Sequence, residues 1–376
     1  MPKPKSILMT ADAVGGVWTY ALELTRALQP HGIEVQLALM GPPPTAAQRA
    51  DADVLPNLSL FKSDYKLEWM PDCWADVRHA GDWLLHLANR LRPDVVHLNG
   101  YAHASLPWDR PVLVVGHSCV CSWWHAVHGE EAPAEWQQYQ REVTNGLRAA
   151  DMVVAPSTAM LNALRTHYGK IENARVIRNG RDPQSIKPAE KQPVIFSAGR
   201  LWDAAKNIKR VAELAAQLPW AVCIAGDCEA PHESQELPAL TRECQLLGPL
   251  PDAGMREWFG AASIYALPAL YEPFGYTPLE AGLAGCALVL GDIESLRENW
   301  DGAAVFVDPH DRDALKTELL RLIEDDGYRS EIALRARSRA LRFTSEHMGR
   351  KYLAAYYELL AHTKTGRRQE MFAQCA

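Results

Sequence analysis

The stretch Ala269-Leu-Tyr-Glu-Pro-Phe-Gly-Tyr-Thr-Pro-Leu-Glu-Ala-Gly-Leu-Ala-Gly285 decides how the rest of the chain is read. An apolar run ending near Pro268 predicts a strand, and Glu272 sits in the loop that follows. A helix opens at about Thr277 with Pro278 in its first turn. Such a helix start offers unpaired N–H groups and positive dipole, which suit a phosphate. Glu280 falls within the first turn or so. One carboxylate is then placed for ribose hydroxyls and the other for a sugar or leaving group. The same two residues equally suit a solvated Glu272 and a Glu280 that complements the helix dipole.

Short apolar, β-branched runs alternate with helical periodicity in both directions, the pattern of βαβ units and parallel sheets. Strands are predicted over 6–9, 34–39, 95–98, 112–115, 152–155 and 175–177, then over 194–198, 221–224, 264–266, 287–290 and 303–306. Helices are predicted over 17–28, 74–91, 134–149 and 158–168, then over 207–217, 254–262, 278–284, 313–325, 329–343 and 346–360. Residues 183–193 are polar and broken by prolines, and read as a linker. The expected division is an N-terminal Rossmann-like domain over 1–182 and a second over 194–344. A C-terminal helix is expected over about 345–376. Two doubly wound α/β sheets facing each other leave a cleft at the carboxyl ends of their strands, where ligands bind.

Of 376 residues, 48% are hydrophobic and 23% charged, enough for two cores. The net charge of −7 gives no electrostatic footprint for nucleic acid. Cys73, Cys119, Cys121, Cys223, Cys228, Cys244, Cys286 and Cys375 form no CxxC pair and no His–Cys metal spacing. Buried free thiols in a reducing, cytoplasmic compartment are expected. The first residues are too short an apolar run for a signal peptide, and no stretch approaches the roughly 18 apolar residues of a membrane span. Peripheral membrane contact is left open by this composition.

A second motif, Ser197-Ala-Gly-Arg-Leu-Trp-Asp-Ala-Ala-Lys-Asn207, directly follows a predicted strand. Beyond Gly199, Arg200 and Lys206 offer a planar fork and a point charge able to share one diphosphate, although loop cations are often merely solvated. Gly15 and Gly16 join a strand to a helix without GxGxxG spacing, so a dinucleotide fingerprint is not supported and a tight turn serves as well. Asp51-Ala-Asp53 and Asp311-Arg-Asp313 have the spacing of a metal-binding carboxylate pair. Neither belongs to the phosphate motif, and the second sits where an Asp caps a helix, so both read as structural and no metal is expected. His97, Asn99 and His117 follow predicted strands, and Trp123 and Trp124 offer aromatic faces to a sugar. Hydrogen-bonded structural histidines and packed tryptophans are the simpler alternatives.

The segment from Glu272 to Glu280 resembles the Glu-x7-Glu signature of retaining glycosyltransferases of family 4, and other motifs in the same order extend the resemblance over nearly the whole chain. It implies the GT-B fold, two Rossmann-like domains with the donor held mainly by the second and the C-terminal helix crossing back to the first. Carried over, Glu272 touches the transferred sugar, with the amides of Phe274, Gly275 and Tyr276 on its hydroxyls. Glu280 holds the ribose, and the amides of Tyr276 and Thr277 the diphosphate. Arg200 and Lys206 match the family's G-R-L-x(n)-K pattern, whose cations neutralise the diphosphate in place of a metal. The Gly15–Gly16 loop closes over the diphosphate, and His117 stands where the family contacts the donor sugar. Asn179-Gly-Arg-Asp182 matches the Asn-Gly-x-Asp turn, and Gly248, with Gly226 and Asp227, matches the base site. The catalytic set is therefore Glu272, His117, Arg200 and Lys206, with His97, Asn99, Trp123 and Trp124 as acceptor candidates.

The implied activity is retaining, metal-independent transfer of a hexose from a nucleotide-sugar, with UDP-sugar favoured, to a hydroxyl acceptor. The acceptor is a carbohydrate, a lipid-linked sugar or a small molecule, and no cofactor is needed because the nucleotide-sugar is a substrate. Rival readings are a nucleotide-sugar 2-epimerase, a phosphorylase, or a silent nucleotide-sugar-binding protein. The first lacks this Glu-x7-Glu segment, and the second needs a pyridoxal lysine and a much longer chain.

Overall fold

Apolar runs without polar alternation must be covered on both faces, and Val112–Val115 and Ala262–Leu267 are buried at every position. Each lies inside a parallel sheet. The computed structural model describes residues 3–228 and 244–374. These fall into two units. The first contains the chain up to Ser122, Ala132–Gly180 and the chain from Ser345 onward; the second contains Trp123–Glu131 and Arg181–Thr344.

In the first unit the strands are β1 (Ser6–Ala11), β2 (Glu34–Leu39), β3 (Leu58–Lys62), β4 (Val95–Leu98), β5 (Val112–Val115), β6 (Met152–Ala155) and β7 (Ala174–Val176). Their order is β3-β2-β1-β4-β5-β6-β7, and every pairing is parallel. The helices are α1 (Gly16–Leu28), α2 (Ala46–Asp53), α3 (Trp74–Leu91), α4 (Val120–His128), α5 (Gln137–Ala149) and α6 (Thr158–Tyr168), and α4 runs into the segment grouped with the second unit.

The second unit has β8 (Gln192–Ala198), β9 (Ala221–Ala225), β10 (Cys244–Gly248), β11 (Ala262–Leu267), β12 (Ala287–Gly291) and β13 (Val305–Val307), in the order β10-β9-β8-β11-β12-β13. Its helices are α7 (Ile208–Ala212), α8 (Asp252–Ala261), α9 (Tyr276–Leu283), α10 (Glu294–Trp300), α11 (Arg312–Glu324) and α12 (Asp326–Ala340). The last helix, α13 (Ser345–Gln374), belongs to the first unit and packs on α1. A Cβ at Gly349 would lie 2.6 Å from that of Ala27, so the two helices meet closely there. From α13, Tyr352 and Tyr356 are fully buried.

Both sheets are doubly wound. The strand order reverses between β1 and β4 in one and between β8 and β11 in the other, and loops leaving those strands diverge to leave a crevice. Several elements differ from the sequence expectation, which lacked α2, α4 and α10 altogether. β3 and β10 are edge strands, half-exposed along their length, so they lack the apolar run that marks a central strand. The helix expected over 207–217 stops at Ala212 and resumes as a 3-10 turn, Ala215–Gln217. β8 begins at Gln192, inside the expected linker. It accommodates Pro193 because its pairing with β9 starts only at Val194.

Cys73, Cys119, Cys121, Cys223, Cys228, Cys244 and Cys286 are free thiols, and Cys375 lies outside the described residues. No helix of the described residues is long and apolar enough to cross a membrane.

Candidate active site

The loop leaving β11 carries Glu272 and ends at Gly275, the N-cap of α9. Gly275 has φ +90°, a left-handed conformation in which a Cβ would also lie 3.0 Å from Pro278 Cγ. With no side-chain cap, the start of α9 is a candidate anion site by its helix dipole. Phe274 turns its ring into the core against Tyr276 and Phe343, and directs its N–H towards Glu272 Oε1. Two residues of α10 brace the loop from behind. Ser295 Oγ donates to the Glu272 carbonyl at 2.6 Å and Asn299 Nδ2 to that of Phe274 at 3.4 Å. No motif marks Ser295 and Asn299. Their four-residue spacing, two buried polar side chains on one helix face, is the only sequence signal for them.

The loop leaving β8 docks onto this one. Leu270 N–H donates to the Ala205 carbonyl at 2.8 Å, and Asn207 Nδ2 bridges the carbonyls of Pro268 and Pro309. Lys206 is thereby delivered to Glu272, Nζ to Oε2, at 2.7 Å. Arg200 stands over the Trp202 ring, 5.0 Å from its centroid, and its Nη2 donates to Asp203 Oδ2 at 2.6 Å. Arg200 Nε is buried with no partner among the described residues. Asp203 is itself almost completely buried, accepting also from Trp123 Nε1 at 2.9 Å and from Ala205 N–H at 3.1 Å. Burial raises its carboxyl pKa, but Arg200 and Lys206 outweigh burial and hold it below the ordinary carboxylate range. Gly199 and Gly226 lie back to back, where a Cβ on Gly226 would sit 1.7 Å from the Gly199 carbonyl oxygen. Gly248, at φ +67°, accepts from the Gly226 N–H, and the Asp227 carbonyl accepts from Leu201. Beside the Glu272 loop is a cavity of about 400 Å³, lined among others by Leu270, Asp292, Ile293, Asp308 and His310.

Glu280 points to Arg181. The Nε of Arg181 lies 3.0 Å from Glu280 Oε1, and its Nη2 meets Asp252 Oδ1. The turn expected at 179–182 thus supplies a charged partner for a site residue. Thr277 shares a side-chain hydrogen bond with Tyr265, whose hydroxyl also donates to the Ala198 carbonyl at 3.2 Å.

In the first unit Gly15 is the N-cap of α1, again with no side-chain cap, and Gly16 is exposed beside it. His117 Nε2 lies 2.9 Å from Asn99 Oδ1. Asn99 Nδ2 donates to the Thr10 carbonyl at 2.6 Å, which fixes the amide orientation. His117 therefore carries its proton on Nε2, and burial holds its pKa down to about 3. One acceptor candidate is corrected here. His97 is fully buried between Tyr356 Oη, 2.7 Å from Nδ1, and Tyr20 Oη, 3.1 Å from Nε2, and burial lowers its pKa to about 3. It presents no face to a sugar. Asn99 spends both ends of its amide on Thr10 and His117, so it orients His117. Trp123 falls in the second unit and gives its indole N–H to Asp203, while Trp124 packs on His128 at 4.4 Å between centroids. Asp51 and Asp53 lie at the end of α2. Asp311 caps α11 through the Ala314 N–H, and Asp313 follows in the first turn. Among the described residues no group of three or more His, Cys, Asp or Glu could hold a metal ion.

Two family models match the chain: Glycosyltransferase Family 4 over residues 14–185 and Glycosyl transferases group 1 over residues 179–339. D-inositol 3-phosphate glycosyltransferase of Xylanimonas cellulosilytica is 25% identical, over 92% of either chain. Sucrose-phosphate synthase of Thermosynechococcus elongatus superposes with a TM-score of 0.80 at 19% identity, covering 95% of this chain and 100% of that one. HepE of Anabaena, solved in complex with UDP-glucose, gives 0.75 at 18% identity, covering 94% and 99%.

Proposed function

The chain is a family 4-like glycosyltransferase of the GT-B fold, and from that premise we propose that it is a retaining hexosyltransferase using a nucleotide-sugar without a metal. The observation that carries this reading is the meeting of two loops at the uncapped start of α9, with Lys206 on Glu272 and Arg200 close by. Those loops leave the strands at the switch point of the second sheet, where a ligand of an open α/β sheet binds. The cations take the diphosphate, Glu272 the transferred sugar and Glu280 the ribose. Charge grows on the diphosphate as the glycosidic bond breaks, so cations held there lower the barrier more than they improve binding. Orienting two substrates supplies most of the remainder. UDP is the favoured nucleotide, in keeping with the UDP-glucose of the Anabaena protein. The acceptor is a hydroxyl compound, and the free thiols agree with a cytoplasmic location.

The experiment is an assay of UDP-, GDP- and ADP-sugars with pooled hydroxyl acceptors, with and without EDTA, followed by NMR of the product anomer. Turnover in EDTA with the donor's anomeric configuration kept is expected. An inverted product overturns the retaining assignment, and activity lost in EDTA but restored by Mg²⁺ or Mn²⁺ overturns the metal-free one.

A further inference from the structure

Arg181 is a cation buried to within 8% of full enclosure, held between two carboxylates on different helices. One is Asp252 at the first position of α8; the other is Glu280 on α9. Asp252 is held in turn by Arg256 Nη1 at 2.6 Å, one helical turn along. Arg256, Asp252, Arg181 and Glu280 thus alternate in sign, and the chain of pairs reaches the carboxylate assigned to the ribose. The mount is rigid at the backbone too. Arg181 N–H donates to the Phe343 carbonyl at 3.0 Å and Arg181 bridges Thr344, so the segments that begin and end the second unit's main stretch are tied at this residue.

Stability alone does not account for such an arrangement. A buried ion pair is commonly replaced by apolar residues at no loss, because desolvation offsets the attraction. What a buried pair can supply is a fixed geometry. The guanidinium is planar, so a fork pinned on Asp252 through Nη2 fixes where its charge lies against Glu280, with Nε 3.0 Å from Oε1 as an ion pair rather than an aligned hydrogen bond. A carboxylate that must accept two ribose hydroxyls needs that plane set and its charge retained in a nearly dry site.

We propose that Arg181 is a positioning residue of the nucleotide site, setting the orientation and charge of Glu280 while Asp252 anchors it from the other side. The inference rests on Glu280 being the ribose ligand. Arg181 acts through Glu280 and touches no substrate, so its effect must vanish once Glu280 is gone.

The test is a double-mutant cycle read by calorimetry with UDP as the probe, GDP and ADP run alongside, and donor and acceptor KM measured on the same proteins. Glu280→Gln should weaken UDP binding roughly 10-fold or more, as for a charge-assisted hydrogen bond. Arg181→Met should weaken it comparably and raise the donor KM while leaving the acceptor KM alone. The double variant should bind no more weakly than Glu280→Gln. Arg181→Lys keeps the charge but not the fork, so it should fall between wild type and Arg181→Met. Should Arg181→Met fail to fold, the cycle is closed with Arg181→Lys instead. Wild-type affinity in Glu280→Gln would overturn the ribose assignment itself. With Glu280→Gln weakened, a wild-type Arg181 variant overturns the positioning role, and so do losses that multiply in the double variant.

Discussion

Lys206 Nζ lies 2.7 Å from Glu272 Oε2, although the two residues are 66 positions apart and enter from loops on different strands. The cation proposed for the diphosphate and the carboxylate proposed for the sugar form one ion pair. On those proposed roles a donor diphosphate competes with Glu272 for Lys206.

Lys206→Ala should therefore lower kcat by roughly 10²–10³, the cost of losing one preorganised electrostatic donor, with a smaller rise in KM. Steady-state kinetics decides this. An unchanged kcat would mean that Lys206 is a solvated cation paired by chance.

Glu272→Gln should reduce turnover while nucleoside diphosphate binding is kept, because no part of the nucleotide rests on this carboxylate. Ser295→Ala removes the hydroxyl that donates to the Glu272 carbonyl. It should move kcat in the same direction by about 2- to 10-fold, as for one neutral hydrogen bond. Calorimetry with the diphosphate must show neither variant binding more weakly than wild type, and Glu272→Gln, which frees Lys206, can bind more tightly; a loss of affinity refutes the division of roles.

Asp203→Asn tests the brace under Arg200. The substitution removes the charge that holds Nη2 and should lower kcat roughly 10- to 100-fold, the range of a charge-assisted bond. The Asp203 carboxyl is held below its ordinary value of 3.8, so its contribution to stability is present above that pH and is lost as pH falls through the folded value. Acid unfolding followed by circular dichroism should accordingly be shallower below about pH 4 in the variant. Equal acid profiles would show that Asp203 is not held charged by the fold.

His97 and His117 titrate at about 3 in the folded protein against an ordinary value of 6.5. Between those values the unfolded chain binds more protons, so stability rises with pH through the window and is complete above it. Each histidine contributes a slope of ~1.4 kcal/mol per pH unit there. Urea unfolding at several pH values from 5 to 7.5 should show stability rising towards about pH 6.5 and levelling above it, with His103, likewise held down by burial, adding to the rise, and His117→Asn should remove one histidine's share. A wild-type stability flat over that range would contradict the burial of both rings.

Central strands were legible because a strand covered on both faces cannot carry polar residues, and each apolar run in the middle of a sheet was found within a residue or two. β3 and β10 were not, since an edge strand meets solvent on one side and loses that pattern. Tertiary packing also reassigned several polar residues. His97 lies within β4 and Asn99 directly follows it, as a ligand-binding pair would, but Tyr356, brought in from α13, closes over His97, and Thr10 from β1 takes Asn99.

The sequence by itself determined the local frame of the candidate donor residues, because loop, glycine and helix start are local and their spacing fixes Glu272, Gly275, Glu280, Arg200 and Lys206 relative to their own elements. Only the tertiary structure decided how those groups pair. Lys206 with Glu272, Trp123 with Asp203, and Arg181 with both Asp252 and Glu280 join positions far apart in the chain. The reason is physical: periodicity reports which face a residue turns to the core, whereas the partner of a buried charge is fixed by which other element lies against it.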